Sequence, residues 1–106
     1  MKTFNKLVRD KIPDIILADN QLPVTRVLND EEYIEELNKK LLEEVNEYLD
    51  GNNIMEIVDI LEVLRAILDH DGITMEEIEK KRVKKAKARG AFKDKIFLEK
   101  ILENGD

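Results

Sequence analysis

Two carboxylate pairs restrict how this chain can fold. Glu44 and Glu47, then Glu56 and Asp59, stand three residues apart on segments with helical periodicity. A short break, Asp50-Gly51-Asn52-Asn53, separates the two segments. Glu44 and Asp59 are equidistant from its middle, and so are Glu47 and Glu56. An antiparallel helical hairpin therefore sets the pairs opposite one another at matching depths. Converging acids repel strongly unless a cation sits among them. Hard oxygen ligands favour Mg²⁺ or Mn²⁺ over softer metals.

Helix geometry separates acids on the core side from acids in solvent. At about 100° per residue, the apolar stripe of the helix before the break comprises Tyr33, Ile34, Leu37, Leu41, Val45 and Tyr48. Glu44 falls inside that stripe, about 20° from Leu37, and Glu47 lies at its edge. Glu35, Glu36 and Glu43 point more towards solvent. The helix after the break is apolar nearly all round, from Ile54 to Leu68, which suits the middle of a bundle or a subunit interface. Glu56 sits there among Ile60, Val63 and Ile67, with Asp59 nearby. A buried carboxylate costs far more than a surface ion pair returns. These acids therefore need a metal, protonation or a basic partner, for which Lys39, Lys40 and Arg65 are available. The bland alternative is a wet rim.

The remaining elements follow from start and stop residues. A short helix is expected from about Asp10 or Pro13 to Asp19, because Pro is tolerated in a first turn. Pro23 to Leu28 is rich in β-branched residues and reads as a short strand. Asn29 or Asp30 caps a helix to about Leu49, with Glu32 completing a capping box and Gly51 as its stop. The next helix spans about Asn53 to Asp69. Thr74-Met75-Glu76-Glu77 opens a fourth, reaching about Arg89 before Gly90. Lys95 to Leu102 is ambiguous, and a short strand pairing with residues 24–28 is the preferred reading. The fold class expected is all-α, four helices with a minor β element, in a single domain over residues 1–106.

Composition removes several function classes. The 106 residues hold no cysteine, which excludes disulfides and thiolate metal sites and suits a reducing, cytoplasmic setting. A cationic-then-apolar leader is lacking, as is an apolar run of about 18 residues, so neither secretion nor membrane spanning is expected. A net charge of −6 argues against general nucleic-acid binding. The charge is uneven, however. Residues 30–79 carry 17 of the 24 acids, while Lys80 to Lys95 carry nine of the 18 basic residues against one acid, Asp94. An acidic middle followed by a basic stretch suits a metal site beside a phosphate-binding surface; the alternative is a solvated helical face. Nucleophilic Ser-His arrangements, Gly-rich phosphate loops and zinc spacings are absent. His70, the sole histidine, reads as a dipole-compatible residue at a helix C-terminus.

The acidic spacing resembles the signature of the MazG-like all-α nucleoside triphosphate pyrophosphohydrolases, E-E-x-x-E followed by E-x-x-D. It is matched by Glu43-Glu44-Val45-Asn46-Glu47 and Glu56-Ile57-Val58-Asp59. The flanks Lys6 to Pro13, Thr25 to Leu28, and Arg89-Gly90-Ala91-Phe92 with Ile96 to Glu99 resemble the small house-cleaning, phosphoribosyl-ATP pyrophosphohydrolase-like branch. The eight residues between Glu47 and Glu56 are fewer than in many members, which shortens the inter-helix loop and bears on substrate range.

The resemblance implies hydrolysis of a nucleoside triphosphate between its α and β phosphates, giving a monophosphate and pyrophosphate. It implies Glu44, Glu47, Glu56 and Asp59 as Mg²⁺ ligands, with Mn²⁺ a substitute, and Glu43 as the acid that orients or deprotonates the attacking water. Helix solvation is the plain alternative for Glu43. Arg9, Lys11, Lys85 and Arg89 are the phosphate-binding candidates. Phe92 is a candidate for stacking on a base, with simple packing as the alternative. A homodimer or higher oligomer is expected, because the all-round apolar helix has more surface than its neighbours can cover. The rival functions are phosphoribosyl-ATP cleavage in histidine synthesis and a non-catalytic helical interaction module.

Overall fold

Side-chain oxygens start the two charged helices where their capping residues stand. Asn29 Oδ1 accepts from the backbone N–H of Glu32 at 2.8 Å, and α2 runs Asp30–Gly51 behind it. Thr74 Oγ1 accepts from the Glu77 N–H at 3.1 Å and opens α4, Met75–Arg89. The other helices are α1, Ile12–Ala18, with Pro13 in its first turn, and α3, Glu56–His70. The computed structural model describes residues 1–103. Contacts divide the chain into two units, residues 1–73 and 74–106.

In the first unit α2 and α3 fold back on each other. Tyr33 near the start of α2 meets His70 at the end of α3 edge-to-face, with ring centroids 5.8 Å apart and planes at 71°. These two residues are also equidistant from the inter-helix break, so the hairpin keeps the mirror register of the acids. Leu37 (3 % exposed) and Val63 (8 %) form the buried apolar centre between the helices. Ile34, Leu41, Val45 and Tyr48 of the α2 stripe are half-buried. Val58, Leu61 and Leu64 of α3 stay exposed in the single chain.

The break differs in detail from the expectation. Gly51 is still helical, and Asn52 takes the left-handed cap with φ 50°, its N–H donating to the Tyr48 carbonyl at 2.6 Å. Asn tolerates that conformation better than other non-glycine residues, so it serves as the stop. Asn53 Oδ1 then accepts from the Met55 N–H at 2.9 Å, and this local turn delays α3 to Glu56.

The second unit holds α4 and the residues after it. No residue of α4 is buried, and Gly90 ends it with φ 87°.

The expected β element is absent: no strand forms among the described residues. Pro23 to Leu28 is irregular, with Val24 and Val27 fully or almost fully exposed and Arg26 paired to Glu32 at 3.0 Å. β-branched residues favour a pleated, half-buried surface, and without a ladder partner that preference has nothing to act on. In the tail, Lys95 adopts φ 58° and donates its N–H to the Phe92 carbonyl at 3.2 Å. That turn occupies the first residue of the expected strand, and residues 96–102 beyond it form no ladder. No helix among the described residues is long and apolar enough to cross a membrane.

Candidate metal centre

Glu44 lies at the middle of the acidic site. It is on the apolar stripe of α2 one helical register beyond Leu37, and that position buries it to 6 % exposure, deeper than Val63. Carboxylate oxygens of Glu44, Glu56 and Asp59 all lie within 4.8 Å of one another, and so do those of Glu43, Glu44 and Glu47. Glu44 belongs to both groups, so the hairpin joins the acids of α2 and α3 around it. Glu56 and Asp59 are half-buried, whereas Glu47 is exposed at the edge, as its place on the wheel requires.

The electrostatics follow from the crowding. Burial is the main reason the Glu44 carboxyl is raised above the ordinary glutamate value. Its hydrogen bond to Glu47 and the charges of Glu47 and Asp59 act the same way, while Lys40 opposes them. Glu56 is raised too, by burial first and then by Glu47 and Asp59. One oxygen on each of these residues, Glu44 Oε2 and Glu56 Oε2, is buried with no hydrogen-bond partner. Buried polar atoms are rarely left so. An all-carboxylate donor set with two orphaned oxygens fits a hard divalent cation such as Mg²⁺ or Mn²⁺.

The bases around the acids are partly as expected. Lys40 reaches Glu44 at 3.6 Å and Glu43 at 3.7 Å, while Lys39 pairs with Glu36 instead, at 3.6 Å. Lys40 thus offsets one side of the cluster without reaching either orphaned oxygen. Glu43 is closer to the site than its wheel angle implied: it is half-buried and grouped with Glu44 and Glu47. Glu43 and Glu47 also open onto a shallow concavity of about 660 Å³ lined by Lys39, Leu42, Asn46 and Asp50.

The irregular segment before α1 adds two cations to the cluster. Arg9 Nη2 donates to Asp59 Oδ1 at 2.7 Å, which places that phosphate-binding candidate directly at the acids. Lys6 Nζ donates to Glu43 Oε1 at 3.2 Å. Lys6 was not among the sequence candidates. Its spacing of three from Arg9 is the sole cue, and an irregular segment gives spacing no fixed meaning. Lys11 stands at the N-cap position of α1 with its side chain exposed. Lys85 and Arg89 belong to the second unit, where they line a shallow concavity of about 420 Å³ with Lys81, Lys84 and Ala88. Phe92, in the same unit, is 97 % exposed, so the packing alternative finds no core around it.

Comparison with known proteins leaves the family open. A stretch of 42 residues is 52 % identical to an uncharacterized protein from Mycolicibacterium smegmatis, covering 40 % of this chain and 43 % of that protein. The chain thus matches under half the length of this relative. No protein-family model matches the chain, and no solved structure matches it.

Proposed function

We propose that this chain is a Mg²⁺-dependent nucleoside triphosphate pyrophosphohydrolase of the MazG-like kind, acting on a non-canonical nucleotide in the cytoplasm. The observation that carries this reading is the buried Glu44 carboxylate, with an orphaned oxygen, grouped with the acids of the facing helix. In this reading Glu44, Glu47, Glu56 and Asp59 hold the cation. When bound, the cation neutralises charge on the phosphate oxygens and activates water for attack at phosphorus. The chain's own groups supply the rest. Glu43, at the mouth of the concavity, accepts a proton from the attacking water; Lys6 and Lys40 keep its carboxylate oriented. Arg9 provides a guanidinium for the phosphates. Lys11, Lys85 and Arg89 serve as further cations for the anionic ligand, and Phe92 as a face for the base.

The test is a panel of canonical, modified and phosphoribosyl nucleotides incubated with Mg²⁺, Mn²⁺ or a chelator. Pyrophosphate release that needs the metal supports the proposal, and its strongest substrate separates house-cleaning from histidine synthesis. No release from any nucleotide refutes it. The exposed Val58, Leu61 and Leu64 on α3 favour a second copy of the chain as the cover for that face, giving a homodimer. The same residues carry the rival reading of an interaction module, under which the purified chain is monomeric and hydrolyses nothing.

A further inference from the structure

Arg9 and the cation of the proposed site have claims on the same carboxylate. Asp59 belongs to the ligand group with Glu44 and Glu56, yet its Oδ1 is held by Arg9 Nη2 at 2.7 Å. A guanidinium and a dication on one carboxylate repel each other, so the two modes of binding oppose one another. Which of them yields is decided by burial and by attachment. The Arg9 side chain is 53 % exposed and that of Asp59 is 40 % exposed, which puts their pair among the weak, water-screened ones. Arg9 also stands on the irregular segment before α1, an exposed side chain outside any helix, whereas Asp59 is set in the first turn of α3. Glu44 and Glu56 have no such option, because their orphaned oxygens are buried between the helices.

We infer that Arg9 is the resident counter-ion of the acidic site: it gives up Asp59 when a divalent cation binds and is then free to hold the anionic ligand. This rests on the metal-dependent reading above and adds to it an order of events. Without metal, Arg9 relieves the acidic cluster and has its charge engaged. With metal, the same charge turns outward for phosphate. Lys6 does not share this role: it pairs with Glu43, which lies outside the group of Glu44, Glu56 and Asp59 and which the proposed function assigns to the attacking water.

The experiment compares the full-length wild type with Arg9→Gln, Arg9→Lys and Lys6→Gln. Mn²⁺ binding is measured by calorimetry at fixed pH and ionic strength, without nucleotide. Arg9→Gln is expected to bind Mn²⁺ about two- to fivefold more tightly, the scale of an exposed ion pair. Arg9→Lys should fall between it and the wild type. Magnesium pyrophosphate is then titrated into each protein, and here Arg9→Gln should bind more weakly. Opposite signs for metal and anion are what a merely structural role does not produce. Equal gains in Mn²⁺ affinity for Arg9→Gln and Lys6→Gln would reduce the effect to the general field of the cluster and overturn the inference. So would unchanged or weaker Mn²⁺ binding in Arg9→Gln, or unaltered pyrophosphate affinity. If the wild type and every variant take up no Mn²⁺, it is the metal reading of the site that falls.

Discussion

Helices α2 and α4 begin alike and diverge in what they do with charge. Each is opened by a side-chain oxygen accepting from the third backbone N–H beyond it, at Asn29 and at Thr74. In α4 no residue is buried, and its charges pair along their own surface: Lys80 with Glu76 at 3.5 Å, and Arg82 Nε with Glu79 at 2.9 Å. In α2 the stripe that buries Leu37 also buries Glu44. An exposed pair changes stability by a fraction of a kcal/mol. A buried carboxylate costs several, which a chain tolerates only when something is gained. The same residue type is thus nearly silent in α4 and informative in α2. Cost, and not charge, marks the candidate site.

The largest expected effect breaks or keeps that contrast directly. Glu44→Gln and Asp59→Asn should lower pyrophosphate release by roughly 100-fold or more, with helicity unchanged by circular dichroism. Glu79→Gln in α4 should leave it within about twofold. Similar rates for all three variants would show that the buried acid is no more functional than the exposed one. Next in size is the cation itself. At about 100 times its Kd, Mg²⁺ should stabilise the folded chain by about 2.7 kcal/mol, read as a rise in Tm against NaCl of equal ionic strength. Glu44→Gln should erase that rise, and Glu79→Gln should keep it.

Acidity sharpens the comparison because the clustered acids Glu44 and Glu56 of the α2–α3 hairpin and the exposed Glu79 of α4 shift in opposite directions. Glu44 and Glu56 are raised, mainly by burial, so folding favours their protonated forms. Their contribution to stability is complete below the ordinary glutamate value and is lost as pH climbs through the raised ones. Glu79 is lowered by its hydrogen bond to Arg82, so its contribution is present above the ordinary value and lost on acidification. Urea midpoints of the ion-free protein should therefore fall from weakly acid to neutral pH. Saturating Mg²⁺ should flatten that fall, since ligation needs the deprotonated acids. A neutral-pH midpoint for ion-free Glu44→Gln below the wild type's would contradict the burial argument.

Local rules made much of this legible in the sequence, and long-range pairing explains what was not. Asn29 and Thr74 declare their helices because a cap needs only the next three residues. Glu44 could be placed inside because the period of a helix fixes its face. The mirror arrangement about the break also accounts for Tyr33 meeting His70, although that contact was not foreseen. The strands at Pro23 to Leu28 and Lys95 to Leu102 failed for the opposite reason: composition proposes a strand but only a partner makes one. The left-handed cap of α2 falls on Asn52 and not on Gly51 because both residues accept that conformation, and local propensity alone does not choose between neighbours. Lys6 and Arg9 reach acids 37 and 50 residues away, from a segment with no periodicity to read.

The smallest expected effect asks whether α4 is more than a solvated surface. Most of its charges are accounted for by solvent and by neighbours one turn away, which leaves the concavity lined by Lys81, Lys84, Lys85 and Arg89 as its one concentrated feature. Among the described residues none of these four cations is paired with a buried acid, so an incoming phosphate meets attraction at little desolvation cost. Arg89→Ala should raise the apparent KM for the nucleotide about three- to tenfold, with kcat and Mn²⁺ affinity close to wild type. Glu76→Gln, which removes a charge from the opposite end of the same helix, should leave KM alone. A wild-type KM in Arg89→Ala would remove Arg89 from the phosphate-binding candidates.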